Sequence, residues 1–235
     1  MGTLFIVSTP IGNLADITLR GLKTLFAVDI IACEDTRRAG LLLTKLLEDF
    51  AANPADKQKP RLLSYYEQNE LQRIPEIIEL LEAGKNIALI SDAGTPMVSD
   101  PGFKLIRECI AQKIPVEAIP GVSAVITALT VSGLPTDKFT FVGYPPRKPG
   151  HRMKYFEDIK ASQQYIVSTI VLYEAPHRIV KTLEELLSIF GDNHIVIARE
   201  LTKIHEEVRR EKISQSLLHF KKTEPRGEFV LLLHQ

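Results

Sequence analysis

The chain has little from which to build a disulfide framework or a zinc site. Its two cysteines, Cys33 and Cys109, form neither a CxxC pair nor any metal-ligand spacing, which fits a reducing compartment and no structural metal. No apolar run reaches the ~18 residues needed to cross a bilayer, so no membrane partner is expected and the cytoplasm is the expected location. The opening Met1–Ser8 carries no basic segment and no cleavage site, and reads as a first strand, not a leader. Net charge is missing too, since 29 Lys plus Arg balance 29 Asp plus Glu. Without a global positive field, any nucleic acid must be met by local patches.

The fingerprints of several enzyme classes are also lacking. Thr9-Pro10-Ile11-Gly12-Asn13 stands where a dinucleotide-binding GxGxxG would follow the first strand. GxxxxGK[ST], GxSxG and HExxH do not occur, which removes most P-loop phosphoryl chemistry, the nucleophile elbow and the zincins.

What remains is an ordinary globular composition, 45 % apolar and 25 % charged over 235 residues, long enough for one large domain or two compact ones. Short Val- and Ile-rich runs alternate with helical patterns, the rhythm of βα units and a largely parallel sheet. The first half reads strand 4–8, helix 18–27, strand 30–33, helix 37–47, strand 61–64, helix 71–82, strand 87–91, helix 104–112 and strand 116–119. Residues 51–60, polar and holding two prolines, read as a loop. The second half reads helix from 124 to about 131, strand 139–142, helix 152–163, strand 166–173, helix 177–190, strand 194–199, strand 208–213, helix 214–220 and strand 229–233. The expected architecture is α/β with two lobes, 1–118 and 119–235.

Several strand ends carry residues suited to chemistry. Ser91-Asp92-Ala93-Gly94-Thr95-Pro96 follows an apolar strand, at the edge where open α/β sheets bind ligands. Gly94 permits positive φ and Pro96 stiffens the exit, while Asp92 suits a ligand ammonium or hydroxyl, or a local cap in a plain turn. Pro120-Gly121 breaks the chain after the next strand, and Ser123 can cap the helix there, leaving N–H groups for an anion. Glu34 and Asp35 end the second strand. They offer a general base, or Asp35 is simply a helix cap partnered by Arg37.

In the second lobe, Tyr173-Glu174-Ala175-Pro176-His177-Arg178 joins strand to helix, with Pro176 fitting the first helical position. Ala198-Arg199-Glu200-Leu201-Thr202-Lys203 ends another strand and could equally be a salt-linked exposed ribbon. The basic loop from Arg147 and Lys148 through Arg152, flanked by Tyr144 and Tyr155, is the best place for RNA, as phosphate contacts beside stacking rings or as plain solvated charge.

Taken together, VSTPIGNLADITLR, CEDTR, SDAGTP, DPG, IPGVSA, YEAPHR, ARELTK and RGEFVLLL resemble, in order and spacing over nearly the whole chain, the tetrapyrrole methylase-like (class III) S-adenosylmethionine methyltransferases. More narrowly, they resemble the bacterial family that methylates a cytidine 2′-oxygen of small-subunit (16S) ribosomal RNA. The resemblance implies a homodimer of two-lobed subunits and S-adenosylmethionine held in a cleft between the lobes. It puts cofactor contacts on Pro10, Asp92, Ala93, Gly94, Thr95, Val98, Ser123, Ala124, Tyr173, Glu174 and Leu201. The catalytic expectation falls on Glu34, with Asp35 beside it. RNA contacts are expected from Arg37, Arg147, Lys148, Arg152, His177, Arg178 and Lys203, on 16S RNA or the small subunit. Three departures stand out: Tyr65–Glu70 lacks the histidines that relatives carry, the 51–60 loop is long, and many relatives extend beyond the last strand. Two other readings stay open: a methyltransferase of this fold acting on a tetrapyrrole or a protein side chain, and a non-catalytic RNA-binding protein with a vestigial cofactor pocket.

Overall fold

Strands β1 (Leu4–Val7), β2 (Ile30–Cys33), β3 (Arg61–Ser64), β4 (Ile87–Leu89) and β5 (Val116–Ile119) form a parallel sheet of order β3-β2-β4-β1-β5 in the computed structural model, which describes residues 1–50 and 59–234. The central strands are buried on both faces, so they read as unbroken apolar runs; β2, Ile-Ile-Ala-Cys, is buried throughout. The edge strand β5, Val-Glu-Ala-Ile, leaves its two middle residues exposed.

Alternation along the strands sorts side chains to two faces. Ile30, Ala32, Ile87 and Leu89 pack on α3 (Glu70–Glu82) and α4 (Phe103–Ala111) through Ile77, Leu81, Leu105 and Cys109. Ile31, Cys33, Ala88 and Ile90 pack with Leu25 of α1 (Leu19–Leu25) and with Ala39, Leu43 and Leu46 of α2 (Thr36–Phe50). A short 3₁₀ turn at Leu14–Asp16 precedes α1, which Thr18 caps by accepting from Gly21 N at 3.0 Å. The loop expected at 51–60 lies outside the described residues except for its last two.

The second unit is also a five-stranded sheet, of order β6-β7-β10-β8-β9, built from β6 (Phe139–Phe141), β7 (Thr169–Glu174), β8 (His194–Arg199), β9 (Glu207–Lys212) and β10 (Phe229–Leu233). Only β6 and β7 are parallel; β10 runs antiparallel to both β7 and β8, and β9 antiparallel to β8. The expectation of a largely parallel sheet is therefore corrected for this half. The short 200–206 connection folds β9 straight back on β8, and β10 returns between β7 and β8 instead of crossing over to an edge. Helices α6 (Pro149–Ser162), α7 (Ile179–Phe190) and α8 (Ile213–Lys222) cover one face around Phe156, Leu183, Leu186 and Phe220. Helix α5 (Ala124–Ser132) packs against β8, β9 and β10.

The chain divides into compact units Met1–Ser123 and Ala124–Gln235. Strand β5 runs to Ile119, whose carbonyl accepts from Ser8 N at 3.3 Å, and this holds the start of the following turn to the first sheet. Strand β7 starts later than expected: Ile166 and Val167 are 65 % and 52 % exposed and belong to the turn that closes α6. Likewise α7 starts at Ile179, so Pro176 lies in the preceding turn and not at the first helical position. No helix among the described residues is long and apolar enough to cross a membrane.

Candidate active site

In an open parallel sheet the carboxyl ends of the strands carry the ligand site. Here the turns after β1, β4 and β5 are tied to one another. Thr9 and Gly94 exchange two backbone hydrogen bonds, N–H to carbonyl, at 2.9 and 3.1 Å. The Thr95 hydroxyl donates to the Val122 carbonyl at 2.8 Å and lies 3.0 Å from the Ser8 hydroxyl. Since Thr95 has one proton to give, Ser8 is the donor of that second bond. Gly94 is the turn residue because its φ is +81°, a conformation that L side chains rarely adopt. Gly121 serves close approach instead, as a Cβ there would lie 2.9 Å from Ser8 Cβ.

The result is a polar, backbone-rich cradle within the first unit. Of the residues expected there, Gly94 and Pro10 are buried, Thr95 and Val98 half-buried, and Ala93 and Asp92 exposed. Ser123 ends this unit, directly before Ala124, the first residue of α5. The Asp92 carboxylate is already engaged, 2.9 Å from the Arg38 guanidinium, and its backbone N–H donates to Glu34.

Glu34, at the end of β2, is half-buried and its Oε1 is sealed from solvent with no hydrogen-bond partner among the described residues. Burial pushes its carboxyl up to about 7, with the charges of Asp100 and Asp92 adding to the rise. A carboxyl poised near neutrality is suited to general-base work. Asp35 is different. Its carboxylate accepts from Arg37 N at 2.8 Å and binds the Arg37 guanidinium at 2.9 Å, and these bonds hold it down at about 2. Asp35, expected beside Glu34 at the catalytic position, caps α2, and Arg37 is its partner.

Sequence reasoning missed Asp100. It lies in the loop between β4 and α4, half-buried, and burial pushes it up to about 6 against a hydrogen bond from Ser91. Met97 and Ser99 in the same loop adopt φ of 71° each, a conformation that costs roughly 1–3 kcal/mol per non-glycine residue and clusters at functional sites. The DPG motif was the available signal, but nothing in its residue types distinguishes a turn from a site.

In the second unit, Glu174 is 1 % exposed. It accepts from Ala175 N at 2.8 Å and from the Thr182 hydroxyl, and pairs with Arg178 Nε at 3.2 Å. Arg178 also donates to the carbonyls of Pro145 and Pro146, so it locks the 143–148 loop in place. Tyr173 packs edge-on against Phe141 at 4.9 Å between ring centroids, and Leu201 is buried in the turn after β8.

The expected RNA contacts divide in two. Arg147, Lys148, His177 and Arg37 are exposed. Arg152 is 3 % exposed and bound two-pronged to the buried Glu185, with Nη2 2.7 Å from Oε1. Arg152, expected to contact RNA, thus has its guanidinium bound inside the fold, whereas Arg178, half-buried, spends Nη2 on the Pro145 and Pro146 carbonyls and pairs with Glu174. Lys203 is bound by Glu200 at 2.9 Å and Glu228 at 3.0 Å.

A family model for tetrapyrrole (corrin/porphyrin) methylases matches residues 3–216. A Thermotoga maritima protein named ribosomal RNA small subunit methyltransferase I is 45 % identical over 233 residues, covering 99 % of this chain and 98 % of the relative. A Streptococcus pyogenes protein of the same name is 43 % identical over 232 residues, covering 99 % of this chain and 76 % of its own length. Among solved structures, uroporphyrin-III C-methyltransferase from Thermus thermophilus, complexed with S-adenyl homocysteine, superposes with a TM-score of 0.64 at 18 % identity over 98 % of this chain and 97 % of its own. With a family model matched over most of its length and relatives this similar from end to end, the chain belongs to the tetrapyrrole (corrin/porphyrin) methylase family, in the company of the proteins named ribosomal RNA small subunit methyltransferase I.

Proposed function

We propose that this protein methylates small-subunit (16S) ribosomal RNA with S-adenosylmethionine, at the ribose 2′-oxygen of a cytidine. The observation that carries the reading is the full-length likeness to the Thermotoga relative. The site chemistry supports it: a hydrogen-bonded cradle lies beside a carboxyl placed for proton abstraction. Action as a homodimer and in the cytoplasm, where small subunits are assembled, belongs to the same proposal.

The residues of the first unit fit the cofactor. Gly94 and Gly121 let the turns of the cradle approach closely, since a Cβ there would lie 3.2 Å from Ile11 Cγ2 and 2.9 Å from Ser8 Cβ. The carboxylates of Glu34, Asp92 and Asp100 make the surroundings negative, suited to a cation. Pro10, Ala93, Gly94, Thr95, Val98 and Ser123 are the residues we assign to hold it. When bound, S-adenosylmethionine supplies a methyl on a positively charged sulfur, which a ribose oxygen takes up as neutral S-adenosylhomocysteine departs. The Glu34 carboxylate accepts the proton of the ribose hydroxyl; titrating near 7, it is substantially ionised at neutral pH yet more basic than an ordinary carboxylate. The tied turns fix orientation, which is a main demand when the leaving group is already good. Arg147 and Lys148, exposed on the loop that Arg178 secures, meet RNA phosphates.

The test is to incubate the protein and tritiated S-adenosylmethionine with small subunits that lack the modification, then map the label. Label on a cytidine ribose is expected. Label on a base, on protein or on an added tetrapyrrole overturns the assignment.

A further inference from the structure

A cavity of about 330 Å³ opens in the first unit between the segment following β3 and the loop following β4. Glu67 and Glu70 form one wall, and Asp100, Phe103 and Lys104 the other. In the sheet, β2 lies between β3 and β4, so the tip of β2, where Glu34 stands, adjoins the cavity without lining it. Asp100 belongs to the cavity and its charge acts on Glu34. The loop after β4 is thus shared: its later part walls the cavity and its first turn joins those after β1 and β5 in the cofactor cradle, with Glu34 on the neighbouring strand β2.

The lining selects the kind of group that enters. The N-terminus of α4 has no side-chain cap, and such an end favours anions. Three carboxylates outweigh it. Glu67 is exposed at the mouth, Asp100 is half-buried, and Glu70 is 5 % exposed, accepting from the Tyr65 hydroxyl at 3.2 Å. The one lysine of the wall, Lys104, is bound to Glu70 at 2.5 Å. A phosphate is disfavoured here, and a neutral ring with donor groups is favoured. Phe103 is 66 % exposed. The Arg107 guanidinium stands 5.8 Å from its ring centroid, which leaves the other face of the ring for a second planar group. The volume lies at the small end of ligand pockets, which run from about 300 to 1,000 Å³, and suits a single ring system.

We propose that this cavity takes the unpaired base of the nucleotide being methylated, stacked on Phe103, so that its ribose hydroxyl lies at Glu34. The inference rests on the RNA reading above. Sequence-specific RNA recognition works on splayed-out bases of this kind, stacked on aromatic rings, and a carboxylate such as Glu67 accepts from the amino group of cytosine.

Phe103→Leu keeps an apolar side chain but removes the stacking ring, and Phe103→Tyr keeps the ring. Residue 103 is on the surface, and thermal unfolding checks that each variant is folded. With undermethylated small subunits and tritiated cofactor, Phe103→Leu should raise KM for the subunits about 10- to 100-fold. Phe103→Tyr should stay close to wild type, and both should bind S-adenosylmethionine in calorimetry as wild type does. A wild-type KM in Phe103→Leu, or an equal loss in Phe103→Tyr, overturns the base pocket while the methylation reading stands. If the unaltered protein labels no subunits, the methylation reading fails and takes the pocket with it.

Discussion

Ser8 and Thr95 join hydroxyls at 3.0 Å across the turns after β1 and β4, and the Thr95 hydroxyl donates to the Val122 carbonyl, after β5, at 2.8 Å. One side chain thus ties the three turns that form the cradle.

Thr95→Val keeps the shape and removes both bonds. Each is worth about 0.5–1.5 kcal/mol, and the Val122 carbonyl is left without its donor. Affinity for S-adenosylmethionine should fall by roughly 10-fold in titration calorimetry, with Thr95→Ser close to wild type. An unchanged affinity in the valine variant would show that the tie does not shape the site.

Glu34→Gln should lower kcat by about 10²- to 10⁴-fold with little effect on cofactor affinity. In the wild type, kcat should rise with pH through about 7, as the carboxyl ionises. The same shift has a stability consequence. The folded carboxyl titrates near 7 and the unfolded one near 4.5. Below 4.5 both states are protonated and nothing is lost; as pH rises toward 7 the unfolded state ionises first, so stability falls. Glu34→Gln should therefore raise Tm above neutrality and leave it unchanged near pH 4. A matched Tm at both pH values would sink the assignment of a buried charge to Glu34.

Asp100→Asn removes a like charge that helps raise Glu34. The acidic limb of the rate profile should move down by roughly 0.5–1 pH unit. Cofactor binding should be spared. A profile in register with wild type would mean that the two carboxyls do not sense each other.

Arg152→Ala strands the Glu185 carboxylate inside the second unit. Breaking a buried pair costs about 3–5 kcal/mol, which for a chain of this size lowers Tm by roughly 6–20 °C. Replacing both partners, Arg152→Met with Glu185→Leu, should recover most of that in calorimetry. Arg147→Ala with Lys148→Ala, both exposed, should leave Tm alone and instead weaken RNA binding and its salt dependence. A large Tm loss in that second pair would contradict the division between internal and RNA-facing cations.

The first unit was legible in the sequence because every strand there is followed by its own helix, and periodicity reports such units directly. Edge effects set the errors: Ile166 and Val167 looked like strand but are exposed turn. The antiparallel second sheet could not be read, since no local pattern says where β10 inserts. At the site, Glu34 was legible as a carboxylate at a strand end, and the Asp35–Arg37 cap as a pattern of neighbours. Arg152 and Asp100 were misjudged for one reason. Burial of a charged residue depends on how the chain packs around it, with Glu185 enclosed beside Arg152 and the loop after β4 enclosing Asp100, and residue type alone does not reveal it.

Strand β10 sits at the centre of its sheet, hydrogen-bonded to β7 on one side and β8 on the other. During synthesis, β7 and β8 therefore emerge with a gap between them that residues 229–233 must later fill. All strands of the first sheet are complete by Ile119, so a nascent chain can close that sheet, cradle and Glu34 included, while the second half still waits for its keystone. Ribosome-bound fragments should show the two halves gaining protease resistance at well-separated lengths.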